Sequence, residues 1–148
     1  MNSHGEKARA YFLEGYNCCQ SVFLAFHEEL GLDREMAARL ASSFGGGMGR
    51  LREVCGAVSG MFLAAGLLRG YSEPGDDEGK KAQYELVQEL AAAFREQNDS
   101  IICRELLGLD HPSDAPTPSA RTAQYYQQRP CADLVASAGA ILADRLGL

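Results

Sequence analysis

REVCGAVSGMFLAAGLLR, residues 52–69, is apolar on nearly every side once its terminal charges are set aside. A helix with a single apolar stripe lies on a protein's surface, whereas one that is apolar nearly all round belongs in the middle of a bundle. Gly56 and Gly60 fall on one face of this helix, with Ala64 continuing it. Each Gly costs about 1 kcal/mol against Ala in a helix interior. Two uses of the missing side chains stand level: the close approach of another helix, or room for a cofactor beside the sulfur of Cys55. The apolar run itself, Val54 to Leu68, is short for a membrane span and suits a buried core helix.

Helical signals flank this segment on both sides. Ser3 and Glu6 suggest a capping box for a first helix ending near Gly15. Asn17 caps a second, with Cys19, Val22, Phe23, Phe26 and Leu30 on one face and Gly31 as its stop. Asp33 caps a third that runs through Met36, Leu40 and Phe44 to the glycines at 45–47. After the turn-rich GYSEPGDD, a fifth spans about 78–97 with Tyr84, Val87, Leu90, Ala91 and Phe94 facing inward. Ser100 opens a short sixth, which stops at Gly108.

The segment 109–130 holds four prolines and no apolar periodicity, and reads as a long connection or lid with Tyr125 and Tyr126 as anchors. A last helix follows Pro130, with Leu134, Val135, Ala138, Ile141, Leu142 and Leu146 as its stripe. No stretch reads as a strand. The expected fold is all-α: one domain over residues 1–148, a bundle of six to seven helices around the Gly/Ala-rich segment.

The chain has 148 residues, enough for one domain with a real core, and a net charge of −6. With no basic tract, it offers no nucleic-acid partner and no dock for an anionic membrane. MNSHGEKARAYF lacks the apolar core of a signal peptide, so a cytoplasmic location is expected, without membrane insertion. A homodimer is left open. Five cysteines in that compartment point to free, redox-active or metal-bound thiols rather than a disulfide framework.

Four of the five sit at expected helix starts: Cys18 after Asn17, Cys55 at the head of the central helix, Cys103 after Ser100 and Cys131 after Pro130. Helix N-termini stabilise thiolate, the form that attacks disulfides and binds metals. In an up-and-down bundle the second and fourth helices run the same way, so these four sulfurs are expected to converge at one end. Each thiol also has a plain reading as a small buried hydrophobe, and Cys19, in line with Phe23 and Phe26, fits that best.

FGGGMGR, residues 44–50, matches neither GxGxxG nor the Walker pattern, and reads as a turn that positions Cys55. Arg50 and Arg52 would add positive charge beside the thiols, and Glu53 is the acidic residue nearest Cys55. No CxxC, CxxCH or His–Cys ligand spacing occurs, which argues against a thioredoxin-type pair, a c-type haem and a zinc ribbon.

NCCQSV, FGGGMGRLREVCGAVSGMFLAAGL, CRELLG and PCADLV together resemble the redox-active family labelled C_GCAxxG_C_C, over about Tyr11 to Leu142. The resemblance maps the family's four cysteines onto Cys18, Cys55, Cys103 and Cys131, and its central motif onto Cys55 to Gly60. It leaves Cys19 as an extra residue of the core. It also implies electron transfer as a setting, since a related domain is fused to a multihaem cytochrome.

Three functions follow. Cys18, Cys55, Cys103 and Cys131 ligate an iron–sulfur cluster, with Gly56 and Gly60 giving it room and zinc as a structural variant. Alternatively, they carry thiol–disulfide chemistry without a metal. In the third, the chain is a binding or scaffold module with packing cysteines. The cluster is slightly preferred, because four convergent ligands explain four thiols and a dithiol explains two. Either redox reading requires a redox partner protein, which the sequence does not name.

Overall fold

The structure, a computed structural model, describes residues 3–111 and 113–148. It is all-α, and its one β-type pairing among the described residues is an isolated antiparallel bridge between Val54 and Ile102.

α1 (Ser3–Leu13) starts at the first described residue, so the expected cap cannot be assigned beyond it. α2 (Cys18–Ala25) opens with a full capping box, in which Gln20 N donates to Asn17 Oδ1 at 2.9 Å and Asn17 N donates to Gln20 Oε1 at 3.0 Å. The expected run to Leu30 breaks at Phe26, and α3 (His27–Leu30) finishes it against a left-handed Gly31. At the break the buried Phe26 ring stacks on His4 at 4.5 Å, and His4 is paired with Glu29 at 2.6 Å.

α4 (Arg34–Ala41), capped by Asp33, buries Ala37 and Ala41 while Met36 and Leu40 face solvent. A 3₁₀ turn, Ser42–Phe44, leads into α5 (Gly45–Met48). Residues 46 to 50 all have positive φ, which makes this a left-handed turn. Such a turn is tolerable where most of its residues are glycine. A Cβ on Gly47 would also lie 2.6 Å from Cys103 Cβ.

α6 (Gly56–Arg69) is the central helix, three or four residues shorter at its start than expected. Arg52 to Cys55 are held out of the helix by backbone bonds, with Glu53 N donating to Gly47 O and Cys55 N to Ile101 O. Residues 56–61, 64 and 65 are buried, and the last turn emerges into solvent. α2 packs across it at Gly60, where a Cβ would stand 2.7 Å from Cys19 O. That contact places Gly60 at the crossing of α2 and α6.

α7 (Asp77–Asn98) buries Leu86, Leu90, Ala91 and Phe94. Tyr84, expected inside, is exposed, because the inward face follows the 86–90–94 row instead. α8 (Cys103–Leu106) ends at Gly108, whose φ is +68°.

The connection 109–130 is not wholly irregular: α9 (Ala123–Gln128) forms within it, capped by Thr122 Oγ1, which accepts from Tyr125 N at 3.1 Å. Its AQYYQQ sequence has no apolar stripe, so only the cap announced it. α10 (Cys131–Leu146) buries the predicted stripe as far as Leu142 and packs on α1, where Gly139 lets His4 O approach.

Candidate functional site

Four helix starts meet at one end of the bundle. Cys18, Cys103 and Cys131 are the first residues of α2, α8 and α10, and Cys55 is the N-cap of α6. All four line a single cavity of about 210 Å³. Hydrogen bonds from Cys55 N to Ile101 O (2.8 Å) and from Cys103 N to Glu53 O lock the segments carrying Cys55 and Cys103 to each other. Gly56 lines the cavity too, since a Cβ there would press on Cys18 Cβ at 3.1 Å and Phe44 O at 3.0 Å. Gly60 does not line it, and Cys19 is wholly buried in the apolar core.

The sequence pattern of the family described as "Putative redox-active protein (C_GCAxxG_C_C)" matches residues 16–145, a span that begins just before Cys18 and ends beyond Cys131. The chain belongs to this family. No curated protein and no solved structure matches it.

In this C_GCAxxG_C_C protein the four thiols are not equivalent. Cys131 is held down to about 7: the Cys18 thiol, in hydrogen-bonding position, favours its thiolate most, and Arg129, the Tyr125 hydroxyl and Arg121 add to that against the cost of burial. Cys18 is pushed well up, first because it donates to Cys131 and then because it is desolvated. Burial pushes Cys55 up to about 12, although the amides of Ala57 and Val58 partly offset this. Cys103 is raised by burial in spite of Arg52, whose Nη1 lies 3.5 Å from its sulfur. The expectation that helix starts would lower all four is therefore corrected. Desolvation leads at Cys55 and Cys103, the proton held toward Cys131 leads at Cys18, and only Cys131 has a thiol donor, a phenol and two guanidiniums around it.

Arg50 and Arg52, expected near the thiols, do reach the cavity, and both have left-handed backbones. Arg52 is buried and bonds Asp114 Oδ2 through Nε at 2.8 Å. Arg50 donates to Ala115 O at 2.7 Å and to Ser119 Oγ at 3.3 Å. These bonds strap the proline-rich connection over the cavity. Glu53 pairs instead with Arg104 at 3.2 Å, away from the thiols.

Asp114, Arg121, Tyr125 and Arg129 are the residues that sequence reasoning missed as parts of the site. All four belong to the connection 109–130, where Tyr125 is more than the expected anchor. Their signal was faint: three charges and an aromatic in a stretch without periodicity, close before a cysteine. Among the described residues, no three His, Cys, Asp or Glu side chains are gathered closely enough to hold a single ion. No helix among them is long and apolar enough to cross a membrane.

Proposed function

We propose that the protein is a thiol–disulfide redox protein in which Cys131 is the attacking thiolate and Cys18 the resolving thiol. The observation that carries this is that Cys18 and Cys131, the first residues of α2 and α10, line one cavity, and Cys131 is lowered chiefly by Cys18, which puts a ready nucleophile with a resolving partner.

In the forward step the Cys131 thiolate attacks an oxidised acceptor RS–SR′, forming the mixed disulfide with RS and releasing R′S⁻. Cys18 then loses its proton to water and attacks Cys131 Sγ, which releases RS⁻ and closes a Cys18–Cys131 disulfide. Two electrons leave the two cysteines, and one disulfide becomes two thiols. A dithiol partner reverses the exchange and resets the protein. Tyr125 and Arg129 hold the charge on Cys131 between cycles.

Equilibration in buffers of graded thiol–disulfide poise tests this. The wild type should lose two of its five thiols reversibly. Cys18→Ser or Cys131→Ser should abolish that paired loss, and Cys55→Ser should keep it. Five thiols that persist at every poise would reject the proposal.

A second reading, four-thiolate ligation of an iron–sulfur cluster by Cys18, Cys55, Cys103 and Cys131, is favoured by one observation. The four sulfurs line one cavity together with four arginines that would offset a cluster's negative charge. The cluster would supply one-electron transfer. Raised thiol values at three sites run the other way, since ligation needs those thiols ionised. Stoichiometric iron and acid-labile sulfide in protein purified without oxygen would establish this reading, and their loss in Cys55→Ser would assign a ligand.

A further inference from the structure

The charge lining the cavity is one-sided. Arg50, Arg52, Arg121 and Arg129 face it, and among the described residues no Asp or Glu does. This happens in a chain with 20 acidic residues against 14 basic ones. The neutralising carboxylate nearby is Asp114, 2.8 Å from Arg52 and 3.7 Å from Arg50, and it is shared with His111 at 2.7 Å.

Arg121 points both its Nη atoms at backbone carbonyls, Phe12 O at 3.0 Å and Tyr16 O at 2.9 Å, and stacks on the Phe12 ring at 4.1 Å. It is fixed in place and, among the described residues, meets no carboxylate. Arg129 lies over the Tyr125 ring at 5.7 Å and meets no carboxylate among the described residues. Arg52 is buried, and its Nη2, though ion-paired with Asp114 Oδ2 at 2.8 Å, has no hydrogen-bond partner among the described residues. The rest of the wall includes Phe12, Leu106, Leu107 and Leu134, whose apolar side chains offer these guanidiniums no acceptor. An anion in the cavity would give Arg52 Nη2 an acceptor and Arg121 and Arg129 a counter-charge.

We infer that the cavity takes a small anionic disulfide, its carboxylates held by Arg129, Arg121 and Arg52 and its sulfur bond presented to Cys131. The disulfide part rests on the dithiol reading above; the anion part rests on the arginines alone. The cavity, about 210 Å³, is smaller than typical drug-sized sites of roughly 300–1,000 Å³, which fits a compact molecule. The exchange is the one already balanced: the substrate's disulfide gains two electrons and leaves as two thiols, and Cys18 and Cys131 become the new disulfide.

The test compares three disulfides on the reduced protein: dithiodipropionate (anionic), bis-hydroxyethyl disulfide (neutral) and cystamine (cationic). Each rate is normalised to that of mercaptoethanol with the same compound, which removes intrinsic reactivity. The expected order is anionic, neutral, cationic, with about tenfold between the first two at low salt. Arg129→Gln should cut the anionic-to-neutral ratio several-fold, and Arg129→Lys should restore most of it. The ratio is the informative quantity, because a change in the Cys131 thiolate alters all three rates alike.

Equal normalised rates, or a ratio indifferent to Arg129→Gln, would overturn the anion site while leaving the dithiol reading standing. Calorimetry separates the two from the other side, using thiodipropionate, a dianion with no disulfide to exchange. If it binds the wild type, and Arg129→Gln weakens that binding, the anion site stands even where exchange fails. No binding together with no charge preference rejects it.

Discussion

Removing the Cys18 sulfur should take away the main reason that Cys131 is a thiolate near neutral pH. In the wild type Cys131 is lowered from 9.0 to about 7, and the Cys18 hydrogen bond is the largest contribution. That depression is worth roughly 3 kcal/mol of preference for the ionised form at a site almost closed to water. In Cys18→Ala the remaining support from Arg129, Tyr125 and Arg121 faces an undiminished burial cost. The value should climb by about one pH unit or more, so that thiolate at pH 7 falls from about half to about a tenth or less.

Alkylation by iodoacetamide, followed at the Cys131 peptide by mass spectrometry from pH 5 to 10, reads this directly. The midpoint is the informative quantity, because a more basic thiolate is intrinsically a better nucleophile and a single-pH rate would blur the two effects. The sign for stability follows as well. A depressed acid stabilises the fold above its unfolded value, near 9, and that contribution is lost as pH falls through about 7. Cys18→Ala should flatten this part of the pH–stability curve. A midpoint that stays near 7 in Cys18→Ala would refute the reasoning.

Three further outcomes follow from the geometry. Gly60→Ala drives a methyl to 2.7 Å from Cys19 O and should cost about 1–3 kcal/mol in denaturant unfolding by prising α2 from α6. Arg52→Met removes the buried link between Asp114 and Cys103; it should cost about 2–3 kcal/mol and raise the Cys103 titration further in thiol-specific labelling. The strap over the cavity should depend on pH at both ends. Asp114 is lowered, chiefly by Arg52, so its hold is lost as pH falls through its folded value. His111 is raised by Asp110 and Asp114, so its hold is complete below about 6.5 and is lost as pH climbs through its folded value. Limited proteolysis within 109–122 should accordingly be slowest in mildly acidic buffer, and Asp114→Asn should accelerate it there.

The helical class and the helix-start positions of the four cysteines were legible because they rest on local rules. Asn17, Asp33 and Gly31 act where caps and stops are expected, and the apolar segment after Cys55 lies in the core. Several boundaries shifted where tertiary contacts outbid periodicity. Arg52 to Cys55 leave the expected helix to pair with the segment before α8. The second helix breaks at Phe26, whose ring stacks on His4. Tyr84 turns outward because Leu86 leads the buried row.

The order of thiol acidities was not legible at all. Helix starts recur at every cysteine, and what separates Cys131 first is the company of Cys18, more than one hundred residues away in the chain. Sequence spacing does not encode that company. The connection 109–130 hid most of the site for a related reason: Asp114 and Arg121 act through partners about sixty to more than one hundred residues away.

Peptide mapping of the oxidised protein tests the central claim most directly, in a Cys19→Ala background so that the sulfur at 18 is assigned without ambiguity. One new cross-linked peptide is expected, Cys18 to Cys131, that appears on mild oxidation and disappears on reduction while Cys55 and Cys103 stay free. Oxidation that links neither residue, or that couples Cys55 to Cys103 and leaves Cys131 a free thiol, would contradict it.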